Sequence, residues 1–266
     1  MTQAPPRRFS PLYEVFCLYV GLGALGVLCL GWSLVAAMLY PFMPDASGRR
    51  LGRRAITTVF RIYLRILTLL GACRFDISAL DELRDQGPMI LAPNHPCLLD
   101  AVMVIARLPN VACIMKASLL KNVFLGGGAR LARYIPNARP LQMVYASCEA
   151  LAGGGQLLIF PEGTRTVRYP VNEMIPSVAL IARRAKVPVQ TIIIETDSDY
   201  LSKGWPLFRR PPMPIRYRIR LGRRFDPPTD ATAFGRELED FFAAELARAE
   251  LVPPQFHAAA RNTSAA

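Results

Sequence analysis

Two hydrophobic patterns divide the chain. Val15 to Leu39 reads VFCLYVGLGALGVLCLGWSLVAAML, and no charged residue stands between Glu14 and Asp45. An apolar run of this length predicts a helix able to cross a hydrocarbon layer of roughly 30 Å. A signal peptide carries a shorter apolar stretch, about 7–15 residues. The run is therefore expected to be a membrane-embedded helix, either spanning the bilayer or dipping into one leaflet. Pro41 and Pro44 separate it from a second expected helix, with Asp45 or Ser47 as candidate cap. At one residue per 100°, Arg50, Arg54, Arg61 and Arg65 share an arc of about 60°. Val59, Phe60, Ile62, Tyr63, Ile66, Leu67 and Leu70 cover much of the remainder. An arginine stripe on an apolar helix suits the headgroup boundary of a bilayer. It also suits a helix packed on a domain with a solvated arginine edge.

From Cys73 onward the pattern becomes an alternation. Strand-like runs fall at Arg74–Ile77, Met89–Ala92, Val111–Met115, Leu157–Phe160, Val187–Ile194 and Ile215–Leu221. Helical stretches fall at Leu98–Arg107, Ser118–Arg133, Pro140–Leu151, Ser177–Ala185 and Thr232–Leu251. This order predicts an α/β fold: a mixed, largely parallel sheet flanked by helices, preceded by the two-helix membrane-binding segment. Residues 1–70 are expected to be membrane-embedded or interfacial, 71–252 an α/β body, and 253–266 a disordered tail whose Asn262 sequon is a chance match. The glycine triplets at 126–128 and 153–155 fit no phosphate-loop pattern and are expected at helix ends and turns. There is no G-x-S-x-G elbow of the kind an α/β-hydrolase requires.

Charge narrows the partners. The net charge is +12, carried almost wholly by arginine, since lysine occurs only at 116, 121, 186 and 203. A surface this basic calls for an anionic partner. Because the arginines line apolar segments rather than alternating with aromatic residues, anionic membrane lipid headgroups are expected and nucleic acid is not. The period-two stretch IRYRIRL, residues 215–221, predicts a strand with one basic face. That face could dock an acidic acyl carrier protein or anionic lipid, or it could protect an edge strand from pairing. Six cysteines without paired spacing and only two histidines, His95 and His257, indicate neither a disulfide framework nor a metal site.

The chemistry collects at two strand ends. In LAPNHPCLLDAVMV, His95 lies between a strand and a helix, and Asp100 stands in the first turns of that helix. A sharp turn at Pro96 would bring the carboxylate onto the imidazole, fixing its tautomer and making it a general base; a buried or capping histidine is the plainer alternative. FPEGTR, Phe160 to Arg165, follows the second strand and would emerge at the same carboxyl edge of the sheet, where open α/β folds bind ligands. Arg165 could hold a phosphate there and Glu162 a polyol, or the two could pair within a polar turn.

The sequence N-H-x-x-x-x-D followed by F-P-E-G-T-R resembles the glycerolipid (lysophosphatidic acid) acyltransferase family. MKASLLKNVFLG, running on to IPNAR, and the late strand VPVQTIII extend the resemblance over about residues 75–200. It implies transfer of a fatty acyl group from acyl-CoA or acyl carrier protein to a lysophospholipid acceptor hydroxyl, without a cofactor or an acyl-enzyme. His95 would be the base and Asp100 its orienter. Glu162, Gly163, Thr164 and Arg165, with Lys116 and Arg139, would hold the acceptor's glycerol phosphate. The alternative within the same chemistry is acyl transfer to another lipid or hydroxylated acceptor; a non-enzymatic basic protein is the remaining class. The chain departs from the family at Cys97, commonly serine; at Val123, near an expected proline; at MIPSVA, residues 174–179; and at Thr191, in place of a second proline. By the positive-inside rule, the arginines after the first helix place the body in the cytoplasm.

Overall fold

The structure is a computed structural model, and it describes residues 9–257. Arg7, Arg8 and Asn262 lie outside the described residues. Seven strands form one sheet: β1 (Cys73–Asp76), β2 (Ile90–Pro93), β3 (Val111–Met115), β4 (Ile135–Pro136), β5 (Gln156–Leu158), β6 (Val189–Thr196) and β7 (Ile215–Phe225). Their spatial order is β1-β7-β6-β2-β5-β3-β4. Every neighbouring pair is parallel except β6 with β7. The expected largely parallel mixed sheet is therefore present.

Helices cover both faces. On one lie α1 (Pro11–Leu39), α2 (Asp45–Leu69) and α3 (Leu99–Arg107); on the other α5 (Pro140–Ala152), α6 (Ser177–Ala185) and α7 (Ala231–Leu246). A short α4 (Gly126–Leu131) lies against α1. Strand alternation divides the side chains between two cores. Leu91 joins the α2–α3 side, and Ile90 and Ala92 the α5–α7 side.

The N-terminal helices are part of this body. Among the described residues α1 is the one helix long and apolar enough to cross a membrane, and Leu12, Val27 and Met38 on it are more than 70% exposed. Its opposite face, however, buries Glu14, Cys17, Leu18, Gly21, Cys29, Ser33 and Ala36. These recur every three or four residues for most of its length, as a face packed on the domain must. Ile56, Tyr63, Leu64 and Leu67 of α2 enter the same core as β1 and α3. Thr57 and Arg61 of α2 donate to the Ile105 and Ala106 carbonyls at 2.9 and 2.6 Å. Arg53 is buried, donating to the Ala132 carbonyl and Asn110, and burial lowers its pKa to about 10. Arg50, Arg54 and Arg65 form an exposed edge, while Arg61 turns inward. Neither Asp45 nor Ser47 caps α2: the helix begins at Asp45 itself, after Pro44.

Other expectations are corrected by contacts remote in sequence. Ser118–Arg133 is not one helix. Residues 117–121 form a 3-10 turn, and the Asn122 side chain accepts from the Phe124 N–H at 2.9 Å, a local bond that competes with helix. The chain resumes as α4 at the first glycine triplet, which stands at a helix end as expected but also serves a contact. A β-carbon on Gly127 would lie 2.0 Å from the Ser33 carbonyl oxygen, and one on Gly128 would strike Trp32 at 2.8 Å. These glycines admit α1 at backbone distance. Gly153 and Gly154 do end α5, the latter at φ +78°. The last helix stops at Leu246 rather than Leu251, and the N–H groups of Glu250 and Leu251 turn to the buried Glu195 carboxylate. Within the expected disordered tail, Pro254–Phe256 form a 3-10 turn with Phe256 buried beside Tyr169.

Candidate active site

β2 ends at Pro93, and Asn94 replaces the next ladder residue with its own side chain. Asn94 Nδ2 donates to the Ile194 carbonyl at 2.9 Å, and Oδ1 accepts from the Ile194 N–H at 2.7 Å. With its register held, the chain turns at Pro96 into α3. Asp100, in the first turn of α3, is fully buried. Its Oδ2 faces His95 Nδ1 at 2.8 Å and accepts from the Cys97 N–H at 2.8 Å. Its Oδ1 accepts from the Cys97 thiol at 3.0 Å. Burial, reinforced by the neighbouring carboxylate, pushes that thiol well above the ordinary range, so it remains a donor. An ionised Asp100 can only accept, so it favours the tautomer with the proton on Nδ1, which leaves the Nε2 lone pair free.

The second loop is tied onto the first. Leaving β5, the Ile159 N–H still donates to the Leu91 carbonyl at 3.1 Å, and the Phe160 ring then stacks on the His95 imidazole at 3.7 Å between centroids. Glu162 is buried and faces inward. Its Oε1 accepts from the His95 N–H and the Thr166 hydroxyl, both at 2.8 Å, and its Oε2 from the Asn172 N–H at 2.9 Å. The Thr166 N–H in turn donates to the His95 carbonyl at 2.8 Å. Burial raises the Glu162 carboxyl pKa, and these donors oppose the shift. Gly163 takes φ +67° at the turn, open to solvent beside the half-exposed Thr164.

Arg165 does not pair with Glu162. Its Nη1 donates to the Leu201 and Ser202 carbonyls at 2.8 and 2.7 Å, and Nε and Nη2 make no protein hydrogen bond among the described residues. Lys116 and Arg139 leave the carboxyl ends of β3 and β4. Their loops are joined by the Asn137 side chain, which accepts from the Ala117 N–H at 3.2 Å. Both cations are exposed and form no ion pair among the described residues. Since β2, β5, β3 and β4 are adjacent and parallel, all the candidate site residues lie on one edge of the sheet.

Three contributors were not assigned a site role from the sequence. Phe160 stands inside FPEGTR, and its position at a strand end was the available signal. Thr166 and Asn172 carried none, because their importance lies in where Glu162 points. The basic face of β7 is also corrected. Arg216 pairs with Asp197 at 2.7 Å, Arg218 with Glu250 at 2.7 Å, and Arg220 with Glu195 and Glu245 at 2.8 and 3.1 Å. β1 pairs with β7 along Ile215–Arg218 and β6 along Tyr217–Phe225, so these arginines are engaged by carboxylates within the domain rather than presented free to a partner.

The Asp–His pair and FPEGTR, at the carboxyl edge of an α/β sheet, lie within residues 74–195, which match the family model described as Acyltransferase, and the protein is an acyltransferase. The chain is similar to known glycerolipid acyltransferases. It is 20% identical over 180 residues to the 1-acyl-sn-glycerol-3-phosphate acyltransferase of Pseudomonas aeruginosa, covering 65% of this chain and 68% of that one. Its fold matches the crystal structure of the 1-acyl-sn-glycerophosphate acyltransferase PlsC of Thermotoga maritima. The TM-score is 0.64 at 17% identity, over 91% of this chain and 97% of the other.

Proposed function

We propose that this enzyme works at a membrane surface, moving a fatty acyl group from a thioester donor, acyl-CoA or acyl carrier protein, to the hydroxyl of a lysophospholipid, lysophosphatidate foremost. The observation that carries this reading is the 2.8 Å contact between His95 Nδ1 and the fully buried Asp100. Nε2 takes the proton of the acceptor hydroxyl as its oxygen attacks the thioester carbonyl. The C–O bond forms, the C–S bond breaks, and the departing thiolate recovers the proton. Phe160 and Asp100 hold the ring from its face and its edge, while Glu162 acts as a strut under the His95 backbone rather than as a ligand for the headgroup. Lys116 and Arg139, with the free nitrogens of Arg165, are the cations available to the acceptor phosphate.

The exposed apolar face of α1 supports membrane attachment. Its other face is held to the body at Glu14, through Arg210, and at Ser33, through Gly127. Nineteen residues of helix separate those points, about 28 Å at the standard rise, nearly a full hydrocarbon thickness. A helix bound to its domain over that length dips into one leaflet rather than crossing two. The arginines following α1 support a body on the cytoplasmic side, where the leaflet is anionic.

Purified enzyme in detergent, given acyl-CoA or acyl carrier protein and lysophosphatidate, should yield the diacyl product by mass spectrometry. His95→Ala should lose turnover about 10²- to 10⁴-fold. An unchanged rate in that variant would refute the base; turnover only with another acceptor would keep the chemistry and replace the substrate.

A further inference from the structure

The segment following β6 reads SKGWPLFRR, residues 202–210; Trp205 packs on the core, but Leu207 is 47% and Phe208 65% exposed. A soluble loop gains nothing from such residues, and large apolar groups left together on a surface mark an interaction site. Three observations identify the partner. Phe208 stacks on Tyr19 of α1 at 6.1 Å between centroids, and Tyr19 is itself 55% exposed, so the loop continues the apolar face of α1. Lys203 and Arg209 flank the apolar pair, and both are exposed. Trp205 stands at the border, its Nε1 donating to the Arg209 carbonyl at 3.2 Å and its ring beneath the Arg209 guanidinium at 4.7 Å. Aromatic residues with basic neighbours at the rim of an apolar surface are the arrangement that suits a bilayer interface.

We infer that the loop Lys203–Arg210 is a second lipid-contacting element, inserting Leu207 and Phe208 into an anionic bilayer beside α1. This inference rests on the membrane reading of α1 and extends it to a segment more than 160 positions away. The loop is braced for the role. Glu14, fully buried on α1, pairs with Arg210 and accepts from the Met213 N–H at 3.1 Å. At its other end, Leu201 adopts φ +59°, rare for leucine, and its carbonyl accepts from both Arg165 Nη1 and the Leu98 N–H, the latter at 3.2 Å. One carbonyl thus joins the lipid-contacting loop to FPEGTR and to the histidine loop.

The chain has two tryptophans, so Trp32→Phe leaves Trp205 as the sole reporter. With full-length Trp32→Phe protein and vesicles of phosphatidylglycerol and phosphatidylcholine brominated along the acyl chains, the protein should float with the vesicles and Trp205 emission should be quenched. Adding Leu207→Ser and Phe208→Ser should abolish most of that quenching and lower partitioning about tenfold or more, with an unchanged melting temperature because both side chains are exposed. Flotation with unquenched Trp205 would overturn the inference while leaving α1 as the anchor, and a dimer formed through the loop would assign the patch to a second copy. Failure to float at all would refute the membrane reading itself and the inference with it.

Discussion

Glu162 offers three acceptor contacts from two oxygens, and no neutral isostere can reproduce them. In Glu162→Gln one of the two positions becomes an NH2 group, which would face either the Asn172 N–H or the pair formed by the His95 N–H and Thr166 hydroxyl. A buried donor set against a donor costs about 1–3 kcal/mol. The variant should melt lower by that equivalent and lose turnover as the His95 backbone loosens. A variant with wild-type stability and only a raised KM for the acceptor would instead return Glu162 to the headgroup. Cys97 permits a complementary test. A hydroxyl can donate to Asp100 as the thiol does, so Cys97→Ser should keep activity within a few-fold, whereas Cys97→Ala should reduce it more. The buried, upshifted thiols of Cys97 and Cys113, the latter raised to about 12, should resist alkylation at pH 8 in native protein, as peptide mapping would show. At this scale the sequence is an uneven guide. The pairing of His95 with Asp100 follows from a five-residue spacing across a turn, whereas the inward direction of Glu162 depends on Asn172 and on a loop whose course no local pattern encodes.

Elements whose shape depends on local periodicity are the legible ones. β3 and α6 have the bounds that the pattern predicts, Val111–Met115 and Ser177–Ala185, because each is a regular apolar run with clear punctuation. The helix expected over Ser118–Arg133 breaks because its later part serves α1, whose contact residue Ser33 lies 94 positions earlier. The departure from the family at Thr191 has a similar cause, since its hydroxyl donates to the Arg223 carbonyl at 2.7 Å across the irregular β6–β7 pairing. The glycine contact makes a sharp prediction. Gly127→Ala places a methyl group on the Ser33 carbonyl and should destabilise the protein by more than the usual 1–3 kcal/mol of overpacking. Gly23→Ala and Gly31→Ala, on α1 with nothing within 4 Å of the added carbon, should be neutral or stabilising. Parallel thermal melts in detergent would separate the two sets, and an equal effect in both would show that α1 is not seated on α4.

Across the whole molecule, the N-terminal helices and the α/β body are one folded unit. The core that surrounds Leu80, Leu91, Leu99 and Met103 also contains Leu18, Ile56, Tyr63 and Leu67. Removing residues 1–70 should therefore not release a soluble enzyme. It should give an aggregated or expanded body without turnover, seen by size-exclusion chromatography and circular dichroism; a monodisperse, active fragment would contradict the shared core. The arrangement also bears on how the chain comes to be folded. The Ser33 partner is made 94 residues after it, and the Glu14 partner, Arg210, 196 residues after it. While the ribosome is still adding those segments, α1 has no domain to lie against, and lipid is the apolar surface at hand. On the membrane reading proposed above, the bilayer would receive α1 first and the rest of the protein would assemble upon it, so that the surface proposed for catalysis would first be the surface on which folding is completed.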